Sequence, residues 1–287
     1  MIWIFWLTAS YFYAHVYRIL HVYAKFNIRG LGWMMRKIGR DLVFSVQGAK
    51  FYMYSPIAGS NAMQLIGRWN EPETHLFLHA LLDETSFQIT FIDVGANIGE
   101  MAIDLARNPK VEAVHAFDPV ADCIHAIKMG VAANRLTNVS IYHKAVSKEA
   151  GTVQFRYDAT NPSWSGIAGS GNQVIEVPAT TLDTEFPLGV AHPVILLDVE
   201  GAENDVLIGA QQLIKQRLPL VIFEYNDVSQ KQFDLKKIAR TLGDGYEIYR
   251  LRQNDGRLDL DFSDTWNCLA VHKDSEFYQK CRALVVS

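Results

Sequence analysis

The sequence predicts a doubly wound α/β domain: a mostly parallel seven-stranded sheet with an antiparallel last strand, preceded by a helical and hairpin extension. Three observations lead there. From Ile89 onward, apolar runs alternate with amphipathic stretches, the pattern of a parallel sheet buried on both faces. The first strand ends in a turn, Gly95-Ala96-Asn97-Ile98-Gly99, that runs straight into a helix. The second ends in an acid, Asp118, about twenty residues on, the reach of one βαβ unit.

Residues 1–40 read as an apolar aromatic helix with a basic flank. Met1 to Tyr17 carries no charged side chain and is crowded with Trp3, Phe5, Trp6, Tyr11, Phe12, Tyr13 and Tyr17. As a helix it would span ~26 Å, slightly short of the ~30 Å hydrocarbon core. It lacks the positive leading region and small-residue cleavage site of a secretory signal. Its basic flank suits a helix lying in a membrane interface or a short anchor, with packing on the domain as the alternative. Residues 41–86 follow as a hairpin, Asp41 to Ser55, and a short helix, Pro72 to Leu82, with Leu76, Leu78 and Leu81 making its apolar contacts.

Residues 87–287 then form the main domain. Strands are expected at Ile89–Val94, Val111–Phe117, Val139–His143, Val194–Val199 and Leu220–Tyr225, with a closing pair near Tyr246–Leu251 and Asn267–His272. Helices are expected at Ile98–Arg107, Asp122–Asn134, Glu203–Gln216 and Gln230–Leu242, and an irregular insert separates the third and fourth strands. In the helix after Val199, the residues Val206, Leu207, Ala210, Leu213 and Ile214 share one face, the stripe needed to cover a sheet.

Composition narrows the function. The 287 residues are 49% hydrophobic and 20% charged, enough for one sizeable core. Cys123, Cys268 and Cys281 are scattered and odd in number, so neither a disulfide framework nor a zinc site is expected, and the compartment is a reducing one. Six of the 27 basic residues fall in residues 1–40 with none of the 31 acids, leaving 21 against 31 in the body. So acidic a body is a poor partner for a phosphate backbone, which excludes nucleic acid from the expected substrates.

The turn at Asp93-Val94-Gly95-Ala96-Asn97-Ile98-Gly99 departs from the G-x-G-x-x-G of dinucleotide sites. An acid on its strand side suits a cationic ligand better than a diphosphate. Asp118, before Pro119, can accept ribose hydroxyls. Asp198-Val199-Glu200-Gly201-Ala202-Glu203 places three acids at the carboxyl end of a central strand, and Glu224 closes the next. Acids ending wholly apolar strands are expected to have a partner or a task.

Taken in order, Ile92 to Gly99, Ala116-Phe117-Asp118-Pro119, Thr181-Leu182-Asp183, Leu197 to Glu203 and Val221-Ile222-Phe223-Glu224 resemble the successive signature blocks of the FkbM methyltransferase family. Leu197 stands where that family often has lysine, and Asp118 where it more often has glutamate. The resemblance implies a class I methyltransferase fold, S-adenosylmethionine as cofactor, and a hydroxyl acceptor on a sugar, glycolipid or polyketide-like molecule. It implies a cofactor site at Asp93, Gly95, Ala96, Asn97, Gly99, Asp118 and Pro119, with Ala145 and Val146 beside the adenine. Methyl transfer to a hydroxyl needs alignment and a proton acceptor. Asp198, Glu200 and Glu224 are the candidates, Asp198 first. A divalent ion on Asp198, Glu224 and Asn226 is chemically allowed but not expected. The expected location is cytoplasmic, at a membrane face if residues 1–40 engage one. A non-catalytic membrane-associated protein with a retained pocket is the alternative. An NAD(P)-dependent oxidoreductase is disfavoured by the missing G-x-G-x-x-G and Tyr-x-x-x-Lys.

Overall fold

The computed structural model describes residues 42–53, 67–157, 165–167 and 173–286. The expected helix in residues 1–40 therefore lies outside the described residues, as does Trp164 with most of the Ser/Gly-rich loop 163–171, which the sequence places over the cofactor cleft as a candidate for stacking on a sugar ring.

The expected hairpin is present as β1 (Leu42–Val46) and β2 (Ala49–Met53). Its two-residue turn, Gln47-Gly48, has both φ angles positive, which matches the twist of the flanking strands. Phe44, Val46, Ala49 and Phe51 are buried. Asn134, the last residue of helix α3 (Ala121–Asn134), accepts from the Lys50 amide at 2.9 Å and donates to its carbonyl at 2.6 Å. Helix α1 (Pro72–Glu84) starts with proline where no amide partner is needed. It buries Phe77, Leu78, Leu81 and Leu82, whereas Leu76, expected inside, is half exposed.

The main sheet follows from apolar runs that can be satisfied only between two layers of helix. Strands β3 (Ile89–Val94), β9 (Pro193–Leu197) and β10 (Leu220–Glu224) are buried at every residue. With β4 (Val111–Phe117) and β5 (Val139–Tyr142) they form the parallel run β10-β9-β3-β4-β5. On the other flank come β13 (Asn267–His272), β11 (Tyr246–Leu251) and a two-residue β12 (Leu258–Asp259). The closing antiparallel strand is thus not at the end of the sheet: β13 runs antiparallel between β10 and β11. Seven principal strands match the expectation, and β12 makes an eighth. This is the class I methyltransferase fold. The order turns back on itself between β3 and β9, which opens a crevice at the carboxyl ends of the strands.

Two expected helices are divided. The segment after β9 forms α5 (Glu203–Ile208) and α6 (Gln211–Arg217), parted at Gly209, where a Cβ would stand 2.2 Å from the Ser147 carbonyl oxygen. Its apolar stripe is nevertheless buried as expected. The next becomes a 3-10 turn, Ser229–Lys231, and α7 (Leu235–Leu242), because the Asp234 side chain accepts from the Lys237 amide and starts the helix there.

The insert is not irregular, as the sequence had suggested. Its β6 (Ala145–Val146), β7 (Gly151–Tyr157) and β8 (Gln173–Thr180) build a second sheet, ordered β6-β8-β7. A short helix α4 (Leu182–Glu185) follows, and Asp183 on it accepts from the Gln212 and Leu213 amides, capping α6. Helix α2 (Glu100–Ala106) links β3 to β4, and α8 (Tyr278–Ala283) closes the described chain. Among the described residues no helix is long and apolar enough to cross a membrane.

Candidate active site

The crevice is shaped first by backbone. Gly95 has φ +90°, and a Cβ there would lie 1.8 Å from the Asp198 carbonyl oxygen. Only glycine lets the ends of β3 and β9 come this close. The Gly95 and Ala96 amides both donate to the Phe117 carbonyl at 3.0 Å. Asn97 and Gly99 also have positive φ, which carries the chain round into α2.

Asp118 sits at the mouth of this turn. Its Oδ2 accepts from the Asn97 amide at 2.9 Å and its Oδ1 from the Val120 amide at 2.8 Å. Each oxygen keeps acceptor capacity toward the cleft. Burial pushes its pKa up to about 7, against the pull of these amides. Asp93 takes a different place from the one its position suggested. It does not line the cleft; its Oδ2 accepts from the Ala102 amide at 3.1 Å and ties β3 to α2. Burial raises it also to about 7.

The cleft opens at the carboxyl ends of β3 and β9. Gly95, Asn97, Asp118, Pro119, Ala145, Val146, Asp198 and Glu200 line it, while Ala96, Gly99 and Glu224 stand behind. Among the lining residues that the sequence did not single out are Phe155 from β7 and Val120 and Cys123 at the start of α3; Ile167 comes from the Ser/Gly-rich loop that the sequence places over the cleft. A regular alternation in β7 would have been the signal for Phe155, but it is interrupted by exposed and half-buried neighbours.

At the other end of the cleft, acids gather. One carboxylate oxygen each from Asp198, Glu200 and Glu224 lies within 4.8 Å of the others. Burial and the neighbouring Glu224, Glu71 and Glu200 carboxylates hold Asp198 well above the usual range. Burial and nearby glutamates push Glu224 up to about 9, and burial alone takes Glu200 to about 7. Glu203 does more than favour a helix dipole: its Oε1 accepts from the Val199 and Gly201 amides, closing its own turn. Asn226, a metal ligand that the sequence allows without expecting it, is committed elsewhere. Its Nδ2 donates to Glu224 Oε1 at 2.6 Å and its Oδ1 accepts from the Val228 and Ser229 amides. His115, His143 and His192 serve structure, bonded to the Tyr142 hydroxyl, the Pro119 carbonyl and Glu276 respectively.

A sequence model of the methyltransferase FkbM domain matches residues 93–257. No curated protein matches the chain. Among solved structures, the methyltransferase FkbM from Methylobacillus flagellatus KT is 16% identical, covering 75% of this chain and 53% of that one, with a TM-score of 0.47. The chain thus spans about half the length of that structure. M. jannaschii TYW2 in complex with AdoMet is 11% identical over 82% and 86% of the two chains, at a TM-score of 0.45. An rRNA methylase from Streptococcus thermophilus is 11% identical over 68% and 92%, at 0.41. With more than half of its length matched by the domain, from the acid of the first strand to the turn beyond β11, the chain belongs to the FkbM methyltransferase family.

Proposed function

We propose that the chain is an S-adenosylmethionine-dependent O-methyltransferase acting on a hydroxyl of a sugar, glycolipid or polysaccharide. The observation that carries this reading is the convergence of the Gly95–Asn97 turn, the Asp118 carboxylate and the Asp198–Glu200 strand end on one cleft. The residues present fit the cofactor. Gly95 leaves a cradle that any side chain would fill, and Asp118 offers two fixed acceptors for ribose hydroxyls. Ala145 and Val146, both buried, supply an apolar wall. When bound, S-adenosylmethionine supplies a methyl group on a sulfonium. The chain's own task is to hold the acceptor hydroxyl in line and to take its proton, for which Asp198, with Glu200 and Glu224 beside it, stands at the cleft.

Calorimetry tests the reading. S-adenosylmethionine or its demethylated product should bind with about micromolar affinity, roughly −8 kcal/mol. Absence of both, with NADH binding instead, would overturn it. Labelled methyl incorporation into glycan and glycolipid extracts would identify the acceptor. The aromatic and basic residues 1–40 support a further part of the proposal, that the enzyme works at the cytoplasmic face of a membrane. Deleting Met1 to Tyr23 should then abolish sedimentation with anionic liposomes while leaving a folded, cofactor-binding protein. A truncated chain that unfolds would place the segment in the core.

A further inference from the structure

We propose that Asp198, Glu200 and Glu224 bind one hard divalent cation at the inner end of the cleft. Two of the ligands leave the end of β9 and the third ends β10, so adjacent parallel strands deliver them to one point. Their three nearest oxygens lie within 4.8 Å of one another. An ion with oxygen ligands at ~2.3–2.6 Å sets opposite ligands ~4.6–5.2 Å apart, so a single ion can reach all three.

A cluster of acids alone would mean little; a second observation points to what it holds. Glu224 is only 6% exposed, its Oε1 takes the Asn226 amide, and its Oε2 has no hydrogen-bond partner among the described residues. Glu203, fully buried one turn away from Glu200, likewise has an unpartnered Oε2. Buried carboxylate oxygens almost always find a donor or a cation. Lysine and arginine do not supply it: none of their ion pairs among the described residues involves Asp198, Glu200, Glu203 or Glu224. Asp198 and Glu200 are half-buried and line the cleft, which leaves coordination positions for water or for an acceptor oxygen. That last role rests on the methyl-transfer reading; binding of the cation does not.

The test is a Mn2+ titration of the full chain after chelator treatment, followed by electron paramagnetic resonance of the free ion. One saturable site is expected, competed by Mg2+ or Ca2+. Loss of an outer partner typically weakens metal binding about 10–100-fold, so Glu224→Gln, which removes a ligand charge at constant shape, should weaken Mn2+ by at least that much. Glu200→Gln, at a less buried position, should do the same and guards against a folding defect in the first variant. Calorimetry of S-adenosylmethionine runs in parallel, since Glu224 does not line the cofactor cleft. Retained cofactor binding with lost Mn2+ binding in Glu224→Gln supports the site. Absence of Mn2+ binding to wild type overturns it, as does equal binding by both variants; either result, with cofactor binding intact, leaves the methyl-transfer reading standing. Protection of wild type by an alkylammonium salt and not by Mn2+ would also overturn it, in favour of a cationic organic ligand.

Discussion

Single residues set the tolerances of this site. Gly95→Ala would drive a methyl group into the Asp198 carbonyl and force a side chain into φ +90°. Neither backbone can yield without parting β3 from β9. We expect a loss of at least about 1–3 kcal/mol in stability, read as a lower midpoint in urea, with weaker cofactor binding by calorimetry. Asp118→Ala should act differently. It removes an acceptor that meets ground and transition states alike, and hydrogen bonds to a charged group contribute roughly 1.5–3 kcal/mol, so affinity should fall about tenfold or more with little change in turnover of bound substrate. Because burial holds Asp118 at about 7, cofactor affinity of the wild type should rise as pH is raised through that value, and the rise should be absent in the variant. Gly95 was legible in the sequence because the close approach of β3 and β9 restricts the residue type, and Asp118 was legible as a strand-end acid that reaches the cleft. Asp93 was legible as important but not as a brace: a strand-end acid looks the same whether it faces a ligand or a helix amide. Phe155 was not legible, since nothing local says that its strand packs beside the cleft.

Secondary-structure elements show where local signals compete with tertiary ones. The core strands were readable within a residue or two because continuous apolar runs leave them no other environment. The divided helices carried their own marks, Gly209 and Asp234, which an amphipathic stripe overrode in the reading. Helix α1 is held by charge. His75 stacks on Trp69 at 4.1 Å between ring centres and hydrogen-bonds Asp104 at 2.8 Å and Glu100 at 3.2 Å. His79 reaches the same Asp104 oxygen at 2.7 Å. Burial opposes charge on His75, yet the two carboxylates prevail and raise it to about 9, while Asp104 is held below its usual range despite burial by both histidines. A histidine raised on folding lends stability in full below its unfolded value near 6.5, and that contribution fades as pH passes through about 9. Melting temperature should therefore fall between pH 6.5 and 9 more steeply in wild type than in His75→Gln, which carries no ionisable ring.

At the scale of the whole molecule, buried acids outnumber their counterions around the cleft. Glu71, Asp93, Asp118, Glu200 and Glu203 are each raised to about 7, chiefly by burial. In the unfolded chain these groups ionise near pH 4. Between those values the native state holds more protons, so stability must decline as pH rises from about 4 to 7. Urea midpoints measured across that window should fall; a flat or rising profile would show that the acids are compensated in the native state. Overall topology was legible because the alternation of strand and helix allows few arrangements. The position of β13 was not, since a hairpin sequence does not say which of its arms pairs with the rest of the sheet. That position governs the order of events at the ribosome. With β10 made but β13 still in the exit tunnel, a strand apolar up to Glu224 stands at an open edge, inviting mispairing. The same late strand delivers Asn267, whose Nδ2 donates to Glu71 Oε2 at 2.8 Å and Thr74 Oγ1 at 3.0 Å. A nascent chain can thus assemble β3, β4 and β5 early, while the acidic end of the cleft waits for a side chain translated almost two hundred residues after the glutamate it secures.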